Sequence, residues 1–381
     1  MKNYSPFIPF NKLPELKRKN SNIYNLKTFD TNQKYSNLCS SFIKKIYSSK
    51  DVLMTNSCTS ALEICSYLLN TKKGDEIIFS NYTYVTTANS FVSKGATPVF
   101  ADIRSDTLNI DEKKIIRLIN KKTKAIVINH YGSISSEIGV IQKICKKRKI
   151  VLIEDIAESI FSKFKNKYLG SFGDLSTISF HQTKVITCGV GGALLINNKK
   201  YLKKARYILD KGTNRCDFDK KSVNKYRWVS YGSSFGLSEI QAKILFYQLK
   251  KFKKIIQTRV SAFNFYLKNL SILKKNKIIQ LPKVTKFNRI NGAIFYLILK
   301  SEFERDRLIS YLEKFNISCK TYYEPLNESP FYKKNFSKQI DTNISNRLSR
   351  RILRLPIYYK ISKISQKRVC KKIKVFFNEN K

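Results

Sequence analysis

A chain of 381 residues, 42% hydrophobic and 13% aromatic, has ample material for a buried core, and its length predicts more than one domain. No apolar run approaches the ~20 residues that cross a bilayer, and the N-terminal stretch MKNYSPFIPFNKLPEL carries prolines where a secretion signal has a continuous apolar core, so the expected compartment is the cytoplasm, with no membrane partner. The formal charge is +46, but the 73 Lys and Arg residues are spread along the whole length without a helix or aromatic readout motif, which argues for compositional bias and against nucleic acid as the main partner.

Residues 1–30 are polar and proline-punctuated and read as an arm over the surface. Residues 34–47 carry Tyr35, Leu38, Phe42, Ile43 and Ile46 at helical spacing. Strands are then predicted at 52–55, 76–80, 97–101, 125–129 and 150–154, with helices at 60–69, 83–93, 112–119 and 136–147 between them. Such alternation predicts an α/β fold, a mostly parallel sheet with helices on both faces. Strands at 175–180 and 192–196 add to it, followed by helices at 199–210 and 237–249 and a long basic helix to about residue 270. Beyond Lys274 the texture changes. Pro282, a strand at 294–299, a helix at 302–315, a short strand at 317–321 and a final helix at 364–377 predict a smaller α+β domain. The expected division is a large domain over 1–250 and a small C-terminal domain over 251–381.

The eight cysteines are scattered, with no C-x-x-C pair, and His130 and His181 are the only histidines. A zinc site is not expected, and the thiols read as free and buried.

The stretch most suggestive of chemistry runs from Val151 to Ala193. It opens with an apolar β-branched run that ends in Glu154 and Asp155, and it closes with Lys184 ahead of a turn carrying Gly189, Gly191 and Gly192. A carboxylate at the end of a buried strand lies where open α/β sheets bind ligands. A lysine nearby can form a Schiff base, and the aspartate can pair with the pyridinium nitrogen of pyridoxal 5′-phosphate. Glu158, three residues after Asp155, could equally be half of an ordinary helix-start pair. Upstream, Ser57-Cys58-Thr59-Ser60-Ala61-Leu62-Glu63 follows a strand and opens a helix, with Ser60 and Glu63 spaced as a capping box. Such a helix start is a ready phosphate site, although most capped helices bind nothing. Tyr84, at another strand end, could stack on a planar ring or simply be a rim tyrosine, one of 22 in the chain.

SNYTYVTTANSFVSKGATPVFADI, EDIAES, GSFGDLSTISFHQTK and the glycine turn resemble the DegT/DnrJ/StrS sugar-nucleotide aminotransferases, a pyridoxal-phosphate family of fold type I, from about Ile8 to Phe377. The resemblance implies Lys184 as the Schiff-base lysine and Asp155 as the partner of the ring nitrogen. It implies Tyr84 stacked on the ring, Glu158 (usually Gln) beside the ring hydroxyl, and Thr59, Ser60 and Ser179 as phosphate ligands. Ser234 stands where the wider family has an Asn reaching the phosphate of the neighbouring subunit, which implies a homodimer with shared active sites. His181, Arg215 and Tyr323 are candidate substrate contacts. KGTNR, NKYRWVSYGSS and LRLPIYY are similar to one branch, whose members move an amino group from L-glutamate to the 4-keto group of dTDP-4-keto-6-deoxyglucose.

Two departures stand out: Val190 replaces the Glu of the family's G-E-G-G turn, and Asn327 replaces a His common in that branch. The rival readings are a transaminase of a GDP-linked or 3-keto sugar, a sugar dehydratase, which Lys184 opposes because the family's dehydratases carry His there, and a non-enzymatic regulatory or nucleic-acid-binding protein that keeps the fold.

Overall fold

Short runs rich in Ile, Val and Leu set the strands. In chain order these are β1 (Asp51–Thr55), β2 (Glu76–Ser80), β3 (Thr97–Ala101), β4 (Thr123–Asn129), β5 (Val151–Asp155), a small hairpin of β6 (Lys163–Phe164) and β7 (Lys167–Tyr168), β8 (Leu175–Ser179) and β9 (Gly192–Ile196). The computed structural model describes residues 5–12, 33–336 and 341–379. Apart from residues 5–12, most of the expected N-terminal arm lies outside the described residues.

Seven strands form one sheet in the order β1-β9-β8-β5-β4-β2-β3. Neighbouring pairs from β8 across to β3 are parallel, and β9 alone runs antiparallel to both β8 and β1. Side chains alternate across the strands, and both faces are covered. On one face Leu53, Ile77, Phe79, Val127 and Ile153 pack beneath helices Cys58–Leu68 and Leu202–Leu209. On the other, Ile78, Ile126 and Leu152 pack with Ile115, Ile138 and Ile141 of helices Glu112–Leu118 and Ile138–Arg148. Val52, Met54 and Leu195 extend that face against helix Lys34–Tyr47. Each such aliphatic or Phe side chain contributes roughly 1.5–3 kcal/mol of transfer free energy. The architecture is the expected one, a mostly parallel mixed sheet between helical layers.

Helices Glu239–Lys250 and Phe252–Lys275 then lead to β10 (Asn288–Arg289), which pairs with β6, and to an antiparallel pair, β11 (Phe295–Ile298) and β12 (Ile352–Leu355). Leu297, Leu353 and Leu355 join Leu308 and Leu312 of helix Glu302–Lys314 and Ile373 of helix Lys363–Glu379 in a second core. The strand expected at 317–321 is reduced to isolated pairings, Ile8 with Ile317 and Lys320 with Arg354. β12 was not expected, because a charged residue interrupts its apolar run and Pro356 follows it.

Because β1, β2, β5 and β8 run in one direction, their last residues, Thr55, Ser80, Asp155 and Ser179, lie along the same edge of the sheet. The functional residues gather there.

Candidate functional site

A cavity of about 590 Å³ opens at that edge, within the ~300–1,000 Å³ usual for small-molecule sites. Its walls come from the loops after β1, β2, β4, β5 and β8 and from the β11–β12 pair, including Thr59, Tyr84, Asn129, Asp155, Ser179 and Arg354.

After β1 the chain turns into helix Cys58–Leu68. Ser57 is the N-cap: its Oγ accepts from the Ser60 amide at 3.0 Å, while Ser60 Oγ donates to Asn56 Oδ1 at 2.6 Å. The cap therefore sits three residues earlier than the Ser60–Glu63 spacing suggested, and it engages the Ser60 hydroxyl. Ser57, Cys58 and Thr59 line the cavity and Ser60 does not. Gly192 lets β9 lie against this helix start: a Cβ there would fall 2.4 Å from the Ser57 carbonyl carbon and 2.5 Å from the Cys58 amide nitrogen. Ser179, at the end of β8, brings a second hydroxyl to the cavity wall.

Asp155 is buried. Its Oδ2 accepts from Thr87 Oγ1 at 2.8 Å and its Oδ1 from the Ala157 amide at 3.1 Å. Burial raises its pKa above the usual carboxylate value, and the Thr87 and Ala157 donors and the Lys184 charge pull it back. Such a carboxylate is incompletely compensated, and a cation set against it in the cavity would stabilise its charged form. Lys184, partly buried, lines the same cavity on a turn that its amide closes onto the His181 carbonyl at 2.9 Å. Partial burial and the Lys184 charge hold the His181 ring below its ordinary pKa.

Opposite lies an aromatic and charged cluster. The Tyr84 ring, 54% exposed, is 5.9 Å from that of Tyr323. Glu158 Oε1 accepts from Tyr323 Oη at 2.7 Å, and its Oε2 accepts from the Gly132 amide at 3.1 Å. Burial and the Glu158 charge push the Tyr323 hydroxyl well above its usual pKa. Arg354 of β12, 3.7 Å from Glu158, donates through Nε to Tyr131 Oη at 3.1 Å. A second buried arginine on the wall, Arg259, donates to the carbonyls of Gly292, Ala293 and Ile357.

Of the residues singled out in the sequence, the cavity brings together Thr59, Tyr84, Asp155, Glu158, Ser179, His181, Lys184 and Tyr323. Arg215 and Ser234 are not among its lining residues. Arg215 pairs with Asp210 at 3.6 Å, and Ser234 is exposed and bridged to Asp210. Val190 lines the wall, half exposed. Asn327 does not: its side chain bonds Asn81 at 2.7 Å and Thr342 at 3.0 Å, which ties the Leu326–Glu328 turn to the end of β2. Thr87, Asn129, Arg259 and Arg354 also line or support the cavity and are not among the residues expected from the sequence. Arg354 alone carried a signal, a charge inside the apolar run Ile352–Leu355.

A phosphorylated pyridine fits these walls. Hydroxyls and a helix N-terminus can take the phosphate, the buried carboxylate of Asp155 can take a protonated ring nitrogen, and Lys184 can take an aldehyde.

The family model of the DegT/DnrJ/EryC1/StrS aminotransferases matches residues 17–374. The chain is similar to GDP-perosamine synthase of Vibrio cholerae, 30% identical over 86% of this chain and 87% of that one. It is also similar to UDP-4-amino-4,6-dideoxy-N-acetyl-beta-L-altrosamine transaminase of Helicobacter pylori, 32% identical over 76% of each. Among solved structures, Helicobacter pylori PseC, an aminotransferase of pseudoaminic acid biosynthesis, superposes with a TM-score of 0.87 at 25% identity, over 98% of this chain and 100% of that one. The chain belongs to the DegT/DnrJ/EryC1/StrS aminotransferase family.

Proposed function

We propose that this pyridoxal 5′-phosphate-dependent aminotransferase moves the amino group of L-glutamate to the 4-keto carbon of dTDP-4-keto-6-deoxyglucose. The products are dTDP-4-amino-4,6-dideoxygalactose, for a surface polysaccharide, and 2-oxoglutarate. The observation that carries the reaction class is the meeting of the Lys184 amine and the buried Asp155 carboxylate in one cavity at the carboxyl edge of the sheet. Relatives named for GDP- and UDP-linked sugars support a nucleotide keto-sugar as acceptor. KGTNR and LRLPIYY, similar to the dTDP branch, support the choice of sugar.

When bound, the cofactor supplies an electron sink for the carbanion formed at the donor's α-carbon. Asp155 holds the proton of the ring nitrogen, and Thr87 and the Ala157 amide hold Asp155 in place. Thr59 and Ser179 hold the phosphate with the start of helix Cys58–Leu68. Tyr84 covers the ring, and Tyr323 orients Glu158 beside it. Lys184 Nζ takes the proton from the donor's α-carbon and, in the second half of the cycle, delivers one to carbon 4 of the sugar.

Arg215 and Ser234 bracket an exposed segment that carries Trp228, 80% exposed, and Tyr231, 77% exposed. That exposure supports a homodimer in which the segment serves the partner's site. We place the boundary between the two domains at 250–251, where one helix ends at Lys250 and the next starts at Phe252.

Incubation with L-glutamate and a panel of dTDP-, GDP- and UDP-linked keto-sugars tests the assignment, with mass spectrometry reading which sugar gains nitrogen. Gain by the dTDP-4-keto sugar is expected. Gain by a GDP-sugar alone would overturn the substrate and leave transamination intact.

A further inference from the structure

The two buried arginines on the cavity wall are unlike. Arg259, 4% exposed, meets three carbonyl oxygens at 3.0–3.1 Å, and burial brings its pKa down to about 10. Its Nε and Nη2 donors hold the Gly292–Ala293 turn against Ile357. Arg354 is also 4% exposed, but only its Nε makes a close hydrogen bond. Its Nη1 lies 3.7 Å from a Glu158 oxygen that already accepts from Tyr323, and its Nη2 is buried with no acceptor. Around the guanidinium stand the rings of Tyr323 at 4.7 Å, Tyr131 at 5.0 Å and Tyr322 at 5.7 Å.

A guanidinium stays charged at any physiological pH, and its planar fork matches a carboxylate. Leaving one of its N–H corners buried without an acceptor is unfavourable unless a ligand supplies one. Alternation along β12 explains how the residue reaches the site: Leu353 and Leu355 face the second core, and Arg354 between them faces the cavity.

We propose that Arg354 is the anchor for a carboxylate of the amino donor. The inference rests on the transaminase reading above and adds to it the residue that selects the donor. Nη2 is closed off from solvent in the present arrangement, so the carboxylate takes its place by moving a ring aside. Tyr322, 47% exposed, is the one of the three at the surface. Glu158 does not compete for the fork, because Tyr323 Oη and the Gly132 amide hold its two oxygens. An acceptor sugar with no carboxylate gains nothing from Arg354, so the residue separates the two substrates that share one cavity.

The test uses the cofactor-loaded full chain as wild type, R354K and R354Q. Glutarate, a donor-sized dicarboxylate that cannot react, is titrated by calorimetry. dTDP, or the nucleoside diphosphate whose sugar the enzyme accepts, is titrated in parallel. In R354Q the glutarate Kd and the KM for L-glutamate are expected to rise roughly 10- to 100-fold, the value of a buried charge-assisted contact, while the nucleotide Kd holds. R354K, which keeps the charge and loses the fork, falls between, and it decides the matter if R354Q does not fold. Glutarate affinity unchanged in both variants, or glutarate and nucleotide weakened together, would overturn the anchor. A wild type that binds glutarate through Arg354 but aminates none of the nucleotide sugars would instead overturn the proposed acceptor and leave the anchor standing.

Discussion

Glu154 and Asp155 are adjacent carboxylates on one strand, and the pleat sends them into opposite surroundings. Glu154 faces away from the cavity into a closed cage. Its Oε1 accepts from the Phe172 and Gly173 amides at 2.7 and 2.6 Å, and its Oε2 accepts from the Gly170 amide at 2.8 Å and from His130 Nε2 at 3.1 Å. The Ser136 amide donates to His130 Nδ1 at 3.1 Å, which assigns the proton to Nε2. Asp155 has two donors and an open side toward the cavity. One carboxylate is spent on holding the Gly170–Gly173 loop, and the other is kept short of partners. A buried acid does chemistry here because its surroundings leave part of it unsatisfied.

The largest effect should come from the group that faces the open acid. Lys184→Ala removes the amine, and the single-turnover rate of deamination of L-glutamate, followed by cofactor absorbance, is expected to fall at least about a thousandfold. A rate within tenfold of wild type would mean that another base serves the cavity and that Asp155 has been paired with the wrong lysine. On a free-energy scale that loss is about 4 kcal/mol.

Next is the caged acid itself. Glu154→Gln keeps the shape, but whichever way the amide turns, its NH2 faces two donors. Denaturant unfolding of the full chain should show a loss of about 3 kcal/mol, the lower end for breaking a buried pair. Turnover of the fraction that stays folded should hold. If turnover falls and stability does not, the contrast between the two acids fails.

Asp155→Asn should do the reverse, lowering turnover about a hundredfold in folded, cofactor-loaded enzyme, because a neutral amide cannot hold the ring proton. Steady-state turnover with saturating substrates checks it. A mutant that simply unfolds would place Asp155 with Glu154 as a structural acid.

Much of this was readable in the sequence, and what was not has a common cause. β5 and the helix before it follow from local runs and spacing, since each strand is a short apolar stretch bounded by turn residues. The cage around Glu154 does not, because its donors lie 16 to 24 residues away along the chain and meet it only once β4, β5 and the loop before β8 are assembled. Lys184 is one of 73 basic residues, and no local pattern marks it. Its neighbours' resemblance to a family did so. Arg354 stayed hidden for the opposite reason: a lone charge in an apolar strand reads as a flaw until β11 and β12 turn it toward the cavity. The helix cap lies at Ser57 and not at Ser60 because Ser57 offers the same residue type three places earlier.

The smallest effect is the most discriminating, because its sign opposes that of an acid whose partners hold its pKa down. Burial raises the pKa of Asp155, so the folded chain without cofactor holds this proton to higher pH than the unfolded chain does. Below the ordinary carboxylate pKa of about 4 both states are protonated and Asp155 contributes nothing to the pH dependence. As pH rises from there through the raised value, the unfolded chain gives up its proton more readily, and stability falls. Asp155→Asn removes that dependence. The cofactor-free mutant should therefore melt higher than cofactor-free wild type at neutral pH, by about 1 kcal/mol, the usual penalty of a functional residue. The gap should close as the pH approaches 4. Adding pyridoxal 5′-phosphate should reverse the order, since a protonated ring nitrogen against Asp155 stabilises the wild type alone. Thermal melts of both proteins across pH, with and without cofactor, measure this directly. A cofactor-free mutant that melts lower than wild type at neutral pH would show that Thr87 and the Ala157 amide already satisfy Asp155, and the two acids would then differ in position but not in kind.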